Sequence, residues 1–158
     1  KNMTKERNKT VPAVYLIFKK DDKILLGRRQ NTGYYDGWYG VPAGHVDAKE
    51  LPIIAGIREA KEEVGVDIDS SYMQFVHALY RTAHDETGDR SDYFFIVNKW
   101  DREPKIMEPE KCNDLQWFHV DNLPENMIHH EREVLENIKK GINYSEIDIE
   151  HTHQNPLK

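Results

Sequence analysis

Residues 52–66, PIIAGIREAKEEVGV, constrain this chain more than any other stretch. Pro52 suits the first turn of a helix and Gly65 the residue just past its end. Between them Ile53, Ile57, Ala60 and Val64 recur at helical spacing, which predicts a helix over 52–64 with one apolar face. On that helix Glu59, Glu62 and Glu63 stand at i, i+3 and i+4, so their carboxylates share one stripe. Like charges at that spacing repel and weaken an isolated helix. A solvated acidic face is one resolution of the conflict, and a divalent cation among the acids is the other. Oxygen donors at this density, without a thiolate or a paired His, suit Mg²⁺ or Mn²⁺ and not zinc.

Length and charge narrow the host for such a site. The chain has 158 residues, a size suited to one domain. Its net charge of −6 argues against a general surface for nucleic-acid polymers or anionic membranes, which needs clustered Lys and Arg. A small anionic ligand held through cations stays compatible with that charge. The single Cys112 excludes an internal disulfide framework and a Cys-rich zinc site. No apolar run reaches the length of a membrane span, and residues 1–10 lack the apolar core of a secretory signal, so a reduced cytoplasmic setting is expected.

The rest of the chain reads as a sheet with helices on it. Val11–Lys19 is expected as a buried strand, with Ile24–Gly27 its hairpin partner across Asp21, Asp22 and Lys23. A turn-dense loop follows from Gln30 to Gly40, carrying Tyr34, Tyr35, Trp38 and Tyr39. Strands are expected at Met73–Tyr80, Asp92–Trp100 and Leu115–Val120, and a second helix from about Glu125 to Lys140 with Met127, Val134, Leu135 and Ile138 on one face. The order points to an α/β (α+β) domain, a mixed sheet with helices packed on it. Residues 11–145 are expected as the single domain, between a disordered polar start (1–10) and a polar tail (146–158).

Segment 44–66 resembles the signature of the Nudix hydrolases, G-x5-E-x7-R-E-U-x-E-E-x-G-U with U apolar. Gly44, Glu50, Arg58, Glu59, Glu62, Glu63 and Gly65 fill the seven fixed positions, and Ala60 and Val66 fill the apolar ones. At about 7% usage per fixed residue, chance agreement somewhere in the chain is on the order of 10⁻⁶. The pattern departs from many members only at Lys49, where Gly is common. Gly56 inside the helix costs about 1 kcal/mol if exposed, which points to a packing reason for it. Strand order and a Trp117-Phe118 strand before Leu123-Pro124 extend the likeness over most of the chain.

The resemblance implies an α/β/α sandwich in which the mixed sheet lies between the box helix and the C-terminal helix. It also implies a MutT-like enzyme that hydrolyses a nucleoside diphosphate linked to a further group. Glu59, Glu62 and Glu63 would be ligands for Mg²⁺, with Mn²⁺ a substitute, joined by the backbone carbonyl of Ala43. Arg58 and Glu50 would form the ion pair that orients the helix, with Arg58, Glu59, Glu62 and Glu63 making up the catalytic set. A further acid from beyond the box is expected, with Glu108 or Glu110 preferred by position over Asp85 and Glu86. Prenyl diphosphate isomerases share the fold but use a Cys before the box, and Cys112 lies after it.

Substrate class follows by elimination. No SQPWPF-like string follows Val66, as in NADH-type members, and the 79–84 stretch lacks the proline of ADP-ribose members. Tyr80 is a weak match to the tyrosine of diadenosine-polyphosphate members. A nucleoside triphosphate, oxidised forms such as 8-oxo-dGTP included, cut to the monophosphate and pyrophosphate, is the first expectation. Hydrolysis of ADP-ribose or a dinucleoside polyphosphate, or regulatory nucleotide binding without turnover, are the alternatives. The expected partner is thus a small nucleotide, with no nucleic-acid polymer and no membrane, and the chain is expected as a monomer or homodimer. Arg28 and Arg29 are candidates for phosphate contact, Tyr34 and Trp38 for stacking on a base, and Asn113 or Asp114 for reading a base edge. The histidines, His129 and His130 among them, are expected at the surface.

Overall fold

A computed structural model describes residues 5–83 and 86–148. Eight strands and two helices follow in the order β1 (Thr10–Lys20), β2 (Lys23–Arg29), β3 (Tyr39–Gly40), β4 (Ala43–His45), α1 (Pro52–Val64), β5 (Met73–Thr82), β6 (Asp89–Val97), β7 (Cys112–His119), α2 (His129–Lys139) and β8 (Tyr144–Asp148). The sheet order is β3-β2-β1-β6-β5-β8, with β4 added beside β1 and β7 beside β2. β1 runs parallel to β6 and antiparallel to β4, and only its end, Lys19 and Lys20, pairs with β2. Past that joint β2 pairs with β7 and β3.

The sheet separates two apolar layers, as the α/β/α expectation requires. On one face Ala55, Ala60 and Val64 of α1 pack with Val14, Leu16 and Phe18 of β1 and Phe95 and Val97 of β6. On the other, Met127 and Val134 pack with Ala13, Tyr15 and Ile17 of β1 and with Leu79 and Phe94. Consecutive residues of β1 thus feed opposite layers, which is why the strand reads as an unbroken apolar run.

Helix α1 has the expected limits, and Gly65 closes it at φ 72°, a left-handed conformation that favours glycine. Its buried face differs from the expected one. Ile53 is 37% exposed, and the helix instead lays Ala55 and Gly56 on the sheet. A Cβ on Gly56 would stand 2.9 Å from Met73 Cε and 3.2 Å from Val14 Cγ1. Small residues therefore set how closely α1 approaches β1.

Helix α2 begins at His129, not near Glu125. Residues before it are drawn to β3, where Tyr39 N–H donates to Asn126 O and Ile128 N–H to Tyr39 O. Strand β4 was not expected, because three residues are too short for an alternation to register. Strand β8 crosses the expected 145/146 boundary and pairs in parallel with β5. The buried His77 fastens that edge through Ile142 O at 2.9 Å and Ser145 Oγ at 2.7 Å. At the other end, Asn8 donates to Tyr80 Oη and Asp89 Oδ2, both at 3.0 Å, so the stretch before β1 is tied to β5 and β6. Among the described residues no helix is long and apolar enough to cross a membrane.

Candidate active site

A cleft of about 620 Å³ opens where β2, β4, α1 and the start of α2 meet. Its acidic wall comes from the box helix. Glu59, Glu62 and Glu63 all line it, as do Ala43 and Gly44 of β4. Antiparallel pairing of Gly44 with Val14 holds β4 against the central strand, so the helix and the backbone facing it share one rigid support.

The contact between the two is close. A Cβ on Gly44 would fall 2.2 Å from Glu59 Oε2, so only glycine admits the Glu59 carboxylate here. Burial raises the Glu59 carboxyl above its ordinary range although Arg58 opposes the shift. Glu63 is pushed up to about 8, first by burial and then by the negative charge of Glu59. Ala43 N–H donates to Glu63 Oε1 at 3.3 Å and offsets part of that cost. Glu62 is the exposed member of the three.

Arg58 organises the opposite side of the stripe. Its Nε and Nη2 donate to Glu50 at 2.8 and 2.9 Å, a bidentate pair, and Nη2 also reaches His45 O. Nη1 lies 3.0 Å from Glu59 Oε2 and 3.4 Å from Glu62 Oε1. The Arg58 guanidinium, helped by Asp47 N–H, holds Glu50 down at about 2. With Arg58 between Glu59 and Glu62 and Glu63 turned to Ala43, the three acids share a stripe but not a common focus. Among the described residues no three metal-ligating side chains already form a cation-holding cluster.

The later acids separate. Glu108 lines the cleft, and its charge raises both Glu59 and Glu63. Glu110 is exposed outside the cleft, where its backbone carbonyl accepts from Asn31 Nδ2. Asp85 lies outside the described residues. Arg28 and Arg29 line the cleft from the end of β2. Asn113 Oδ1 accepts from Arg28 Nε at 2.8 Å, and Tyr34 O accepts from Arg29 Nε at 2.7 Å. Each guanidinium also covers a ring, Arg28 that of Tyr39 and Arg29 that of Tyr34. Asp114 accepts from Tyr39 Oη and from Gln116 Nε2.

Tyr34 borders the cleft, and its hydroxyl accepts from Arg81 Nη1 at 3.3 Å. Trp38 is not among the lining residues, and its indole packs edge-on against Tyr35 and His129. The loop that carries these rings is shaped by Asp36, which accepts from the Thr32 and Gly33 N–H groups.

Among the described residues five buried polar groups escaped the sequence reading, His77 at the β5–β8 edge and Arg81, Asp92, His130 and Glu131. Arg81 and Asp92, on neighbouring strands, form an ion pair at 2.7 Å with Asp92 fully buried. Burial raises the Asp92 carboxyl in spite of Arg81. Glu131 is 5% exposed, lines the cleft, and accepts from Val41 N–H at 2.8 Å. A signal for it exists, since 131 falls in the apolar register 127, 131, 134, 138, where an acid has no ordinary place. His130 is also buried, against the surface expectation, and burial drives its pKa well below the usual value, leaving the ring neutral.

The profile of the NUDIX domain family matches residues 8–138. The NAD-capped RNA hydrolase NudC of Stutzerimonas stutzeri is 30% identical over 119 residues, 72% of this chain but 38% of that protein. The chain therefore spans little more than a third of that relative. The ADP-ribose pyrophosphatase of Methanocaldococcus jannaschii is 31% identical over 123 residues, covering 77% of this chain and 70% of that protein. A crystal structure of a MutT NUDIX hydrolase from Burkholderia pseudomallei superposes with a TM-score of 0.73 at 25% identity, over 82% of this chain and 98% of that one. Family profile, relatives and fold agree with the filled signature at 44–66, and the chain belongs to the Nudix hydrolase family.

Proposed function

We propose that this chain hydrolyses the pyrophosphate link of a nucleoside diphosphate joined to a further group, with a nucleoside triphosphate, oxidised forms included, as the first substrate class. The observation that carries the reading is the sharing of one cleft by Glu59, Glu62, Glu63 and Glu108 with Arg28 and Arg29. The relatives' names, an NAD-capped RNA hydrolase and an ADP-ribose pyrophosphatase, have a nucleoside diphosphate unit in common, which supports the coarser statement.

The donor set fits a hard divalent cation. All candidate side-chain donors are carboxylate oxygens, and the Glu63 carboxyl, pushed up to about 8 by burial and Glu59 and only partly relieved by Ala43 N–H, is the group that such a cation would return to its charged form. Glu59, Glu62, Glu63 and the carbonyl of Ala43 would hold it. When bound, Mg²⁺ or Mn²⁺ supplies neutralisation of the phosphate charge and a more acidic water. The chain's own groups do the rest. Arg28 and Arg29 bind the negative phosphates, and the close Gly44–Glu59 packing fixes the acidic wall against them. Glu63 or Glu108 accepts the proton that the attacking water loses as one P–O bond of the bridge breaks.

The test is a panel of nucleoside triphosphates, 8-oxo-dGTP, ADP-ribose, NAD and a dinucleoside polyphosphate, incubated with Mg²⁺ and scored for released phosphate or pyrophosphate. A triphosphate is expected to give the highest turnover, and Glu62→Gln to lower it by about 10²-fold. Turnover in that variant equal to the parent's removes the acidic wall from the reaction, and tight binding of a nucleotide without any hydrolysis favours a regulatory module.

A further inference from the structure

We propose that Gln30 is a positioning residue that sets where Glu108 stands in the reaction, a role that rests on the hydrolase reading given above. Gln30 is itself not among the residues lining the cleft, so it acts through the group it holds. The segment that carries Glu108 is fastened on both sides. Before it, Lys105 N–H donates to Val64 O at 3.0 Å and Met107 N–H to Glu63 O at 3.2 Å, which stitches the chain to the last turn of the box helix. After it, the backbone N–H of Gln30 donates to Lys111 O at 2.9 Å and its Nε2 to Pro109 O at 2.8 Å. The next residue, Asn31, adds a bond from Nδ2 to Glu110 O. Between these holds Glu108 O accepts from Lys111 N–H and Cys112 N–H, and the turn so formed sets Glu108 in the cleft wall with Glu59, Glu62 and Glu63.

The other end of the same amide leads to Arg28, proposed above to bind phosphate. Gln30 Oε1 accepts from Asn113 Nδ2 at 3.1 Å, and Asn113 Oδ1 accepts from Arg28 Nε at 2.8 Å. Asn113 can serve both because the register of β2 on β7 shifts there. Arg28 faces Asp114 and Arg29 faces Cys112, so Asn113 is the extra residue of a bulge, and its side chain is aimed back at β2. One run of hydrogen bonds thus joins the Arg28 guanidinium to the backbone beside Glu108. An amide suits the middle of that run, since it donates with its nitrogen and accepts with its oxygen. A carboxylate of the same length keeps only the acceptor, and an apolar side chain keeps neither. Through Gln30 the acid and the arginine keep a fixed separation, the condition for both to meet one bound phosphate chain.

A double-mutant cycle of Gln30→Met and Glu108→Gln tests this, with the full chain, Mg²⁺ and the nucleotide of highest turnover. Gln30→Met keeps the side-chain length and loses both amide bonds. It is expected to lower kcat about ten-fold or more while KM stays within about three-fold. In the Glu108→Gln background the same change is expected to cost less than about two-fold, because the group it positions is already disabled. A merely structural role costs the same in both backgrounds. Amide hydrogen exchange, read without nucleotide, supplies the second measurement. In Gln30→Met it is expected to quicken about ten-fold or more at 110–113 while α1 and β1 keep the parental rates, a pattern that loss of folding does not produce. Additive losses in the cycle, a loss carried by KM alone, parental kcat in Glu108→Gln, or unchanged exchange at 110–113 overturns the proposal and leaves the hydrolase reading standing. A parent that turns over none of the nucleotides sinks the hydrolase reading and this one with it.

Discussion

A Cβ on Gly44 would lie 2.0 Å from the carboxyl carbon of Glu59. The two groups, fifteen residues apart, are fitted so closely that the glycine sets where the carboxylate stands. Gly44→Ala is expected to displace Glu59 by about an ångström and to lower kcat/KM about 10²-fold under saturating Mg²⁺. Because β4 is short and near the surface, the melting temperature should change little beside that loss. Parent-level turnover in this variant would show that the Glu59 position does not govern the reaction.

The Glu50–Arg58 pair gives a pH signature. Glu50 is held at about 2 against an ordinary 4.5, so the ionised form is favoured by folding. The stabilisation is complete above pH 4.5 and drains away as the pH falls from there toward 2. Urea unfolding of the parent and of Glu50→Gln should therefore differ at pH 6 and converge in acid. Curves that stay parallel across this range would contradict the clamp.

Gly56 supplies a test in which helix propensity and packing predict opposite signs. An exposed Gly→Ala change in a helix gains about 1 kcal/mol. Here the new methyl meets Met73 Cε at 2.9 Å and β1 side chains just beyond, so Gly56→Ala should destabilise by about 1–3 kcal/mol. Chemical denaturation decides, and a gain in stability would mean that α1 can move off the sheet freely.

The Arg81–Asp92 pair is buried, so breaking it leaves a charge behind. Asp92→Asn should cost about 3–5 kcal/mol, whereas replacing both residues together by Met and Leu should cost much less. A double-mutant cycle by thermal unfolding measures the difference. Additive losses would show that the two side chains are independent.

Much of this architecture was legible because periodicity and punctuation agreed. Pro52 and Gly65 bounded α1 correctly, and the unbroken apolar run of β1 announced a strand covered on both faces. Limits failed where tertiary contacts outweighed local pattern. Met127 and Ile128 look like a first helical turn but are spent on the bridge to Tyr39. The box acids were visible from spacing, yet sequence could not divide Glu108 from Glu110, since their separation depends on how 101–111 folds back past the end of α1. Arg81, Asp92 and His130 were invisible because a charged or polar residue in an inward register is read as exposed unless its partner, distant along the chain, is known.

The pairing of β1 has a mechanical outcome. Among the described residues β1 is the one strand that joins the β2–β3–β7 group to the β5–β6–β8 group, and the joint consists of Lys19–Lys20 against Lys23–Ile24. Arg28 and Arg29 ride on the first group, while Ala13 and Tyr15 belong to the strand shared with the second. What seats the first group on the second is then side-chain packing, since Leu25 lies in one buried cluster with Val14 and Phe18 and Leu26 in the other with Ala13 and Ile17, so the gap between the arginines and the acids is set by the core and not by backbone pairing.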